Sequence, residues 1–316
     1  MNIVSSAKIR RDLREHLHST YPQLEFQLCK NMTEAESFLA TAEILLTNGF
    51  DVTKEHIINA KNLKWIMVLS AGIDELPLEQ IKNRNILVTN VSGIHAIPMA
   101  EYTIAMMLQV SRNTKALIKS EQDKHWNSKL VMNEIHGKTI GILGTGAIGQ
   151  EVARLAKAFH MKTMGMNRSG REVSYFDVMY TSAQLHDIVK ESDFLLSVLP
   201  KTKETDGILT KNEFALMKKN AILINIGRGN VMNDWDLLHA LNNGEIAHAV
   251  LDVFNEEPLP TDHPYWRMEN VTVTPHLSGI SPKYQSRALE IFEANLKEFL
   301  NGRENYINKI NLSKGY

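Results

Sequence analysis

Apolar and polar positions follow one another along this chain in blocks. The short apolar runs IVSS, LEFQLC, EILLTN, WIMVLS (residues 65–70) and ILVTN (residues 86–90) are separated by polar, amphipathic stretches. Those stretches, around residues 7–18, 34–40 and 54–60, have the spacing of helices. Buried strands alternating with amphipathic helices predict βα units on a parallel sheet. Residues 98–124 then predict one long helix: Pro98 suits its start, and its first half is apolar on most faces, which implies burial. From Thr139 the alternation resumes with TIGIL, KTMGM, FLLSVL, AILINI, HAVLDV and VTVTP, and a helix over residues 282–300 follows. No internal repeat or low-complexity tract interrupts the pattern. It predicts two α/β domains, with crossings near residues 92–98 and 279–283.

Composition agrees and removes several function classes. A chain of 316 residues exceeds one typical α/β domain and suits two. A net charge of −1 and a pI near 6.9 give no basic footprint, so no nucleic-acid partner is expected. The single cysteine, Cys29, excludes an internal disulfide framework and a cysteine-rich zinc site, and no metal site is expected. Its place in LEFQLC marks a buried structural thiol rather than a nucleophile. The start MNIVSSAKIRR lacks the apolar core of a signal peptide, and the apolar run over residues 102–110 is too short to cross a bilayer. The cytoplasm is the expected compartment, with no membrane partner.

The chemistry begins at GKTIGILGTGAIGQEVARLAKAFHMKTMGMNRSG. An apolar strand leads into Gly144-Thr145-Gly146-Ala147-Ile148-Gly149, then a helical stretch, then a second strand. In a dinucleotide site the first glycine allows the tight turn. The second lets a pyrophosphate approach the backbone, and the third lets helix and strand pack closely. The phosphates then face unpaired N–H groups at the helix N-terminus. At the end of the second strand, where an NAD site usually carries an acid, stands Asn167-Arg168-Ser169. No carboxylate there repels a 2′-phosphate; Arg168 offers a planar fork and Ser169 a hydroxyl. The expected cofactor is therefore NADP(H), with NAD(H) possible, because Glu172 follows closely. The alternative is an ordinary exposed turn arginine.

Three further residues follow late strands: Arg228 after AILINIG, Glu257 in LDVFNEEPLP and His276 after VTVTP. Ligands of open α/β sheets gather outside the carboxyl ends of the strands, which makes all three candidates for one cleft. An arginine holds a carboxylate bidentately, a histidine gives or takes a proton near neutrality, and a carboxylate beside it orients the ring. Together they suit reduction of a 2-keto acid by NADPH, with Arg228 on the acid and His276 protonating the ketone oxygen. Each also has a plainer reading. Arg228 between two glycines would cap a turn; His276, like His263, is proline-flanked and so often structural; Glu257 has Glu256 beside it.

With those residues in view, the chain resembles the D-isomer-specific 2-hydroxyacid dehydrogenase family, most of all its NADP-linked glyoxylate/hydroxypyruvate reductase type. The resemblance is carried by LSAGIDELP, NVSGIHAIPMAEYTIAMML, the glycine motif, SVLPKTKETDGIL, MKKNAILINIGRGNVMN, HAVLDVFNEEPLP and VTVTPHLSG. It implies two Rossmann-like, doubly wound parallel-sheet domains. The substrate domain would comprise residues 1–97 and 283–316, and the NAD(P)-binding domain, residues 98–282, would be inserted between them. It implies a homodimer, made largely through the long helix after Pro98, and a small 2-keto or 2-hydroxy acid as substrate. It places the catalytic residues at Arg228, Glu257 and His276, and the substrate-carboxylate loop at Ala71 and Gly72. Cofactor contacts fall on Thr103, the glycine loop, Leu199, Pro200, Thr205, Ile226, Gly227, Asp252 and Ser278, with Asp252 near the nicotinamide carboxamide. Lys201 and Lys203 lie near the expected adenine pocket, where solvated loop lysines are the plainer reading. No extra C-terminal regulatory domain is expected, which points away from a feedback-regulated phosphoglycerate dehydrogenase. Two other functions share the scaffold: a formate dehydrogenase, against which Glu257 argues because those enzymes carry glutamine there, and a dinucleotide-sensing, corepressor-like binding protein.

Overall fold

Every apolar run of the N-terminal part becomes a strand of one parallel sheet. A computed structural model describes residues 1–70, 72–73 and 75–312. The chain divides into two units, Met1–Ile94 with Ser281–Tyr316, and His95–Ile280. In the first unit β1 (Asn2–Ser5), β2 (Glu25–Leu28), β3 (Ile44–Thr47), β4 (Trp65–Val68) and β5 (Leu87–Asn90) lie in the order β2-β1-β3-β4-β5. Successive side chains point to opposite faces, and both faces are covered, so the strands read as continuous apolar runs. One face sets Ile3, Trp65 and Met67 against Leu289, Phe292 and Leu296 of the C-terminal helix Tyr284–Leu300. The other buries Val4, Leu45, Ile66 and Val68. Trp65 stacks on Phe292 at 5.5 Å between ring centroids, and its indole N–H donates to Thr89 Oγ1 at 2.9 Å.

The second unit is a seven-stranded parallel sheet. Its strands are β6 (Thr139–Leu143), β7 (Lys162–Met166), β8 (Val178–Tyr180), β9 (Phe194–Ser197), β10 (Ile222–Asn225), β11 (His248–Leu251) and β12 (Val271–Val273). Their order is β12-β11-β10-β9-β6-β7-β8. The chain runs outward from β6 to β8 and then returns to β9 on the other side of β6. That reversal is the topological switch point at which α/β sheets bind ligands. The glycine loop leaves β6 and the loop Val198–Pro200 leaves β9, so both open at this point. Both sheets are α/β and Rossmann-like.

Three local features differ from the sequence pattern. The expected helix over residues 98–124 is two helices, Ala96–Ser111 and Thr114–Gln122. Asn113 stands between them with φ +49°, a left-handed conformation that asparagine tolerates better than most residues. Its side-chain amide donates to the Val131 carbonyl, and the Asn133 amide donates to Ser111 O at 2.8 Å. The first helix begins at Arg11 rather than Ala7, because Ala7 and Ile9 are drawn into the core. Strand β8 was not expected: it has three residues and is only half-buried, so it carries no apolar run.

Candidate active site

The three glycines of the loop after β6 differ in what surrounds them. Gly144 has φ +106°, and an added Cβ would fall 3.0 Å from Val198 O. A Cβ at Gly149 would fall 2.1 Å from Gly144 O. Backbone conformation and close packing therefore require glycine at 144, and close packing alone requires it at 149. Gly146 has neither reason: its φ is −73°, and a Cβ there would meet no protein atom within 4 Å. It is the N-cap of the twelve-residue helix Ala147–Ala158, with no side-chain capping bond. The first-turn N–H groups of that helix lack intrahelical partners by construction, so the bare backbone at Gly146 opens onto a set of donors suited to an anion. These residues fit a dinucleotide's pyrophosphate.

The turn after β7 presents Arg168 and Ser169 at the surface, with Asn167 half-buried beneath them. Asn167 Nδ2 donates to Thr145 Oγ1 at 3.1 Å and to Arg171 O at 3.0 Å. Its Oδ1 accepts from Ser169 N at 3.1 Å and Ser169 Oγ at 3.3 Å. Lys201, Lys203 and Glu204 are exposed on the loop beyond β9. The Glu204 carboxyl sits below its ordinary range, chiefly through its own amide and the Thr202 hydroxyl, with Arg168 and Lys203 adding attraction. Thr205 fastens the same loop, donating to Pro200 O at 2.6 Å and accepting from Thr202 N at 2.9 Å.

Of the three candidate catalytic residues, two are in direct contact. His276 Nδ1 and Glu257 Oε2 are 2.7 Å apart, and Glu257 Oε1 accepts from the Phe254 amide at 2.9 Å. The carboxylate is thus held at both oxygens, and the ring proton is directed to Nδ1. That leaves Nε2 to exchange a proton with a ligand. Both side chains are partly exposed. Arg228 is exposed too; its Nη1 donates to Gly227 O at 2.8 Å, and its own carbonyl accepts from Asn225 Nδ2 at 2.9 Å. Its neighbour Gly229 packs directly on the chain that carries Glu257. A Cβ at Gly229 would fall 2.0 Å from the Phe254 carbonyl carbon and 2.4 Å from Asn255 N. Gly227 is also closely packed, a Cβ there falling 2.6 Å from Leu199 O.

Asp252 builds the loop that aims His276. It is fully buried. Its Oδ1 accepts from Thr274 Oγ1 at 2.6 Å and Leu277 N at 3.0 Å, and its Oδ2 accepts from Ser278 N at 2.9 Å. The Asp252 carbonyl accepts from His276 N at 2.9 Å, and His276 itself has φ +51°. Tyr102 OH closes the set at 2.7 Å from Thr274 Oγ1. Burial, with the Asp252 charge adding to it against the Thr274 hydrogen bond, pushes the Tyr102 phenol up to about 12. Sequence reasoning missed Tyr102, Thr274 and the Phe254 amide, because nothing local marks them. Gly229 was visible only as the second glycine around Arg228.

The remaining expected residues are spread more widely. Ile226 and Leu199 are buried, and Pro200 is exposed. Ser278 is buried with its amide on Asp252. Thr103 is fully buried inside its helix, its hydroxyl donating to Met99 O at 2.8 Å. Gly72 belongs to the first unit and is exposed, its carbonyl accepting from Ser70 Oγ at 3.0 Å. Ala71 lies outside the described residues. Among the described residues, no helix is long and apolar enough to cross a membrane, and no three or more His, Cys, Asp or Glu side chains cluster to hold a metal.

Comparison with known proteins places this chain in a family. The "D-isomer specific 2-hydroxyacid dehydrogenase, NAD binding domain" profile matches residues 104–278. A glyoxylate reductase of Thermofilum pendens is 32% identical over 92% of this chain and 86% of its own length. A D-3-phosphoglycerate dehydrogenase of Methanocaldococcus jannaschii is 33% identical over 91% of this chain, which spans 56% of that protein's length. Among solved structures, a D-isomer specific 2-hydroxyacid dehydrogenase family protein from Aeromonas salmonicida superposes with a TM-score of 0.87 at 34% identity, covering 98% of this chain and 99% of that one. The NADPH-dependent glyoxylate/hydroxypyruvate reductase of Sinorhizobium meliloti, solved with NADP and sulfate, gives 0.81 at 26% identity, covering 100% and 99%. The fold and site define an NAD(P)-dependent oxidoreductase. The chain belongs to the D-isomer specific 2-hydroxyacid dehydrogenase family.

Proposed function

We propose that this protein reduces a small 2-keto acid of the glyoxylate or hydroxypyruvate kind to its D-2-hydroxy acid, with NADPH preferred over NADH. The observation that carries the cofactor half is Gly146, a glycine with no conformational or protein-packing reason to be one, at an uncapped helix start. The NADPH preference rests on Arg168 and Ser169 at the end of β7, where no acid stands to repel a 2′-phosphate. The Sinorhizobium meliloti reductase, solved with NADP, supports the same reading.

When bound, NADPH supplies hydride to the carbonyl carbon. The chain supplies the rest. Arg228 holds the acid group and draws charge toward the neighbouring carbonyl. His276 gives the proton on Nε2 to the ketone oxygen, while Glu257 keeps the ring oriented through Nδ1. Phe254 N–H keeps Glu257 in place, and Asp252 shapes the loop that carries His276. Oxidation of the hydroxy acid runs the same proton path in reverse. The test is turnover: glyoxylate and hydroxypyruvate should be reduced with NADPH, and His276→Ala should lose about 10²–10⁴-fold in rate, the usual cost of a missing general acid. Full activity in that variant would refute the assignment.

A homodimer belongs to the same reading. Trp126 is 93% exposed and Val131 69%, in the segment that follows the two helices after His95. Exposed apolar side chains in one segment support an association surface, and a second copy of this chain is the partner proposed. Light scattering at micromolar concentration should give twice the chain mass of 35.8 kDa.

A further inference from the structure

Asn167 occupies the position at which an NAD site presents its ribose-binding acid, yet its side chain has nothing left to offer a ribose. A primary amide has two N–H donors and one oxygen with two lone pairs. Here Thr145 Oγ1 and Arg171 O take the two donors, and Ser169 N and Ser169 Oγ fill the oxygen. The backbone is held as well: Asn167 N donates to Tyr180 O at 3.1 Å, and Gly144 N donates to Met166 O at 3.0 Å. Thr145 is in turn seated against β7. A Cβ at Gly165 would fall 2.7 Å from Thr145 Cγ2, so that glycine leaves the space the threonine methyl fills. Gly170 takes φ +68° in this turn, and a Cβ there would fall 2.8 Å from Thr181 Cγ2.

We infer that Asn167 is a positioning residue that latches the Arg168–Arg171 turn to the glycine loop through Thr145, and so sets NADPH selectivity without touching the cofactor. This rests on the proposed NADPH reading and extends it. One side chain couples the donors meant for the pyrophosphate to the groups meant for the 2′-phosphate. NADPH meets both ends of that latch, whereas NADH meets only one. Loosening the latch therefore weakens NADPH more than NADH. The latch also limits redesign. Asn167→Asp, which restores the acid of an NAD site, keeps an acceptor for Ser169 but has no N–H for Thr145 or Arg171. Its carboxylate would face the Arg171 carbonyl, which is repulsive.

The test is calorimetric binding of NADPH and of NADH to the full-length protein without keto acid, for wild type, Arg168→Ala, Thr145→Val and Asn167→Asp. Thr145→Val keeps the methyl against Gly165 and removes only the hydroxyl, which serves if the Asn167 variant does not fold. Loss of one hydrogen bond should raise the NADPH Kd about fivefold in Thr145→Val, with a smaller change for NADH. In Asn167→Asp the NADPH Kd should rise at least as much, and NADH should gain nothing. If NADPH weakens in Arg168→Ala but Thr145→Val leaves the ratio of the two Kd values unchanged, the latch is wrong and the NADPH reading stands. Tighter NADH binding in Asn167→Asp also overturns the latch, because the position would then act by direct contact. If Arg168→Ala leaves NADPH binding unchanged, the cofactor reading fails and the latch falls with it.

Discussion

Gly229 lies flush against the main chain of Phe254, so close that a single methyl group there would fall 2.0 Å from the Phe254 carbonyl carbon. This contact joins the arginine loop to the residue whose amide holds Glu257. Gly229→Ala should therefore push the Phe254–Asn255 chain outward and disturb Glu257 and His276 together. Overpacking of this kind costs about 1–3 kcal/mol. A lowered Tm with a larger loss of kcat than of keto-acid binding is the expected pair of results. Wild-type stability and rate in that variant would show that the contact is not fixed.

Glu257→Gln separates charge from shape. The amide keeps an oxygen for Phe254 N–H and a polar group for His276 Nδ1, but the carboxylate charge is gone. The reductase kcat should fall about 10-fold or more, yet less than the ~10²–10⁴-fold expected for removal of the general acid itself in His276→Ala. The keto-acid KM should move less than kcat. Steady-state kinetics of the two variants side by side give the comparison. A Glu257→Gln enzyme as slow as His276→Ala would mean that Glu257 does more than orient the ring.

Arg228→Lys keeps the positive charge and loses the planar fork. If Arg228 holds the substrate's acid group, the variant should show a higher KM for the keto acid together with a lower kcat. The NADPH Kd should hold steady by comparison. Unchanged keto-acid kinetics would leave the arginine as a turn former between Gly227 and Gly229.

Much of the frame was legible because buried parallel strands announce themselves. TIGIL, KTMGM and HAVLDV all become strands of the second sheet, and the glycine loop sits where the strand order reverses. Pairing of Glu257 with His276 was weighed from their strand-end positions alone. What remained hidden depends on tertiary contact or on a weak local signal. Val178–Tyr180 is an edge strand of three half-buried residues, indistinguishable in sequence from loop. The break between the two helices after His95 turns on Asn113 adopting φ +49°, with neither glycine nor proline to mark it. Asn167 reads in sequence as a missing acid. Only the folded chain shows its amide fully used by Thr145, Ser169 and Arg171. The resemblance put Asp252 near the nicotinamide carboxamide, and only the fold gives its carboxylate the amides of Leu277 and Ser278.

One stability effect has a definite sign. Burial, with the Lys115 charge adding to it, pushes His248 down from 6.5 to about 4. The folded protein keeps this ring neutral where the unfolded chain would take up a proton. Its contribution to stability is complete above about pH 6.5, declines as the pH falls toward about 4, and changes no further below that. The amount at stake is on the order of 3 kcal/mol. His248→Gln should thus show a Tm deficit at pH 7 that shrinks as the pH is lowered to 4.5, measured by calorimetry on both proteins. A deficit that stays constant, or widens, would contradict the buried neutral ring.

The most direct trial of the whole account is initial-rate reduction of glyoxylate and hydroxypyruvate by the purified protein, run in parallel with NADPH and NADH. The prediction is steady turnover of at least one of these acids, a higher kcat/KM with NADPH, and formation of the D-hydroxy acid where the product is chiral. Tight NADPH binding with no turnover of any 2-keto acid, or a clear preference for NADH, would contradict it.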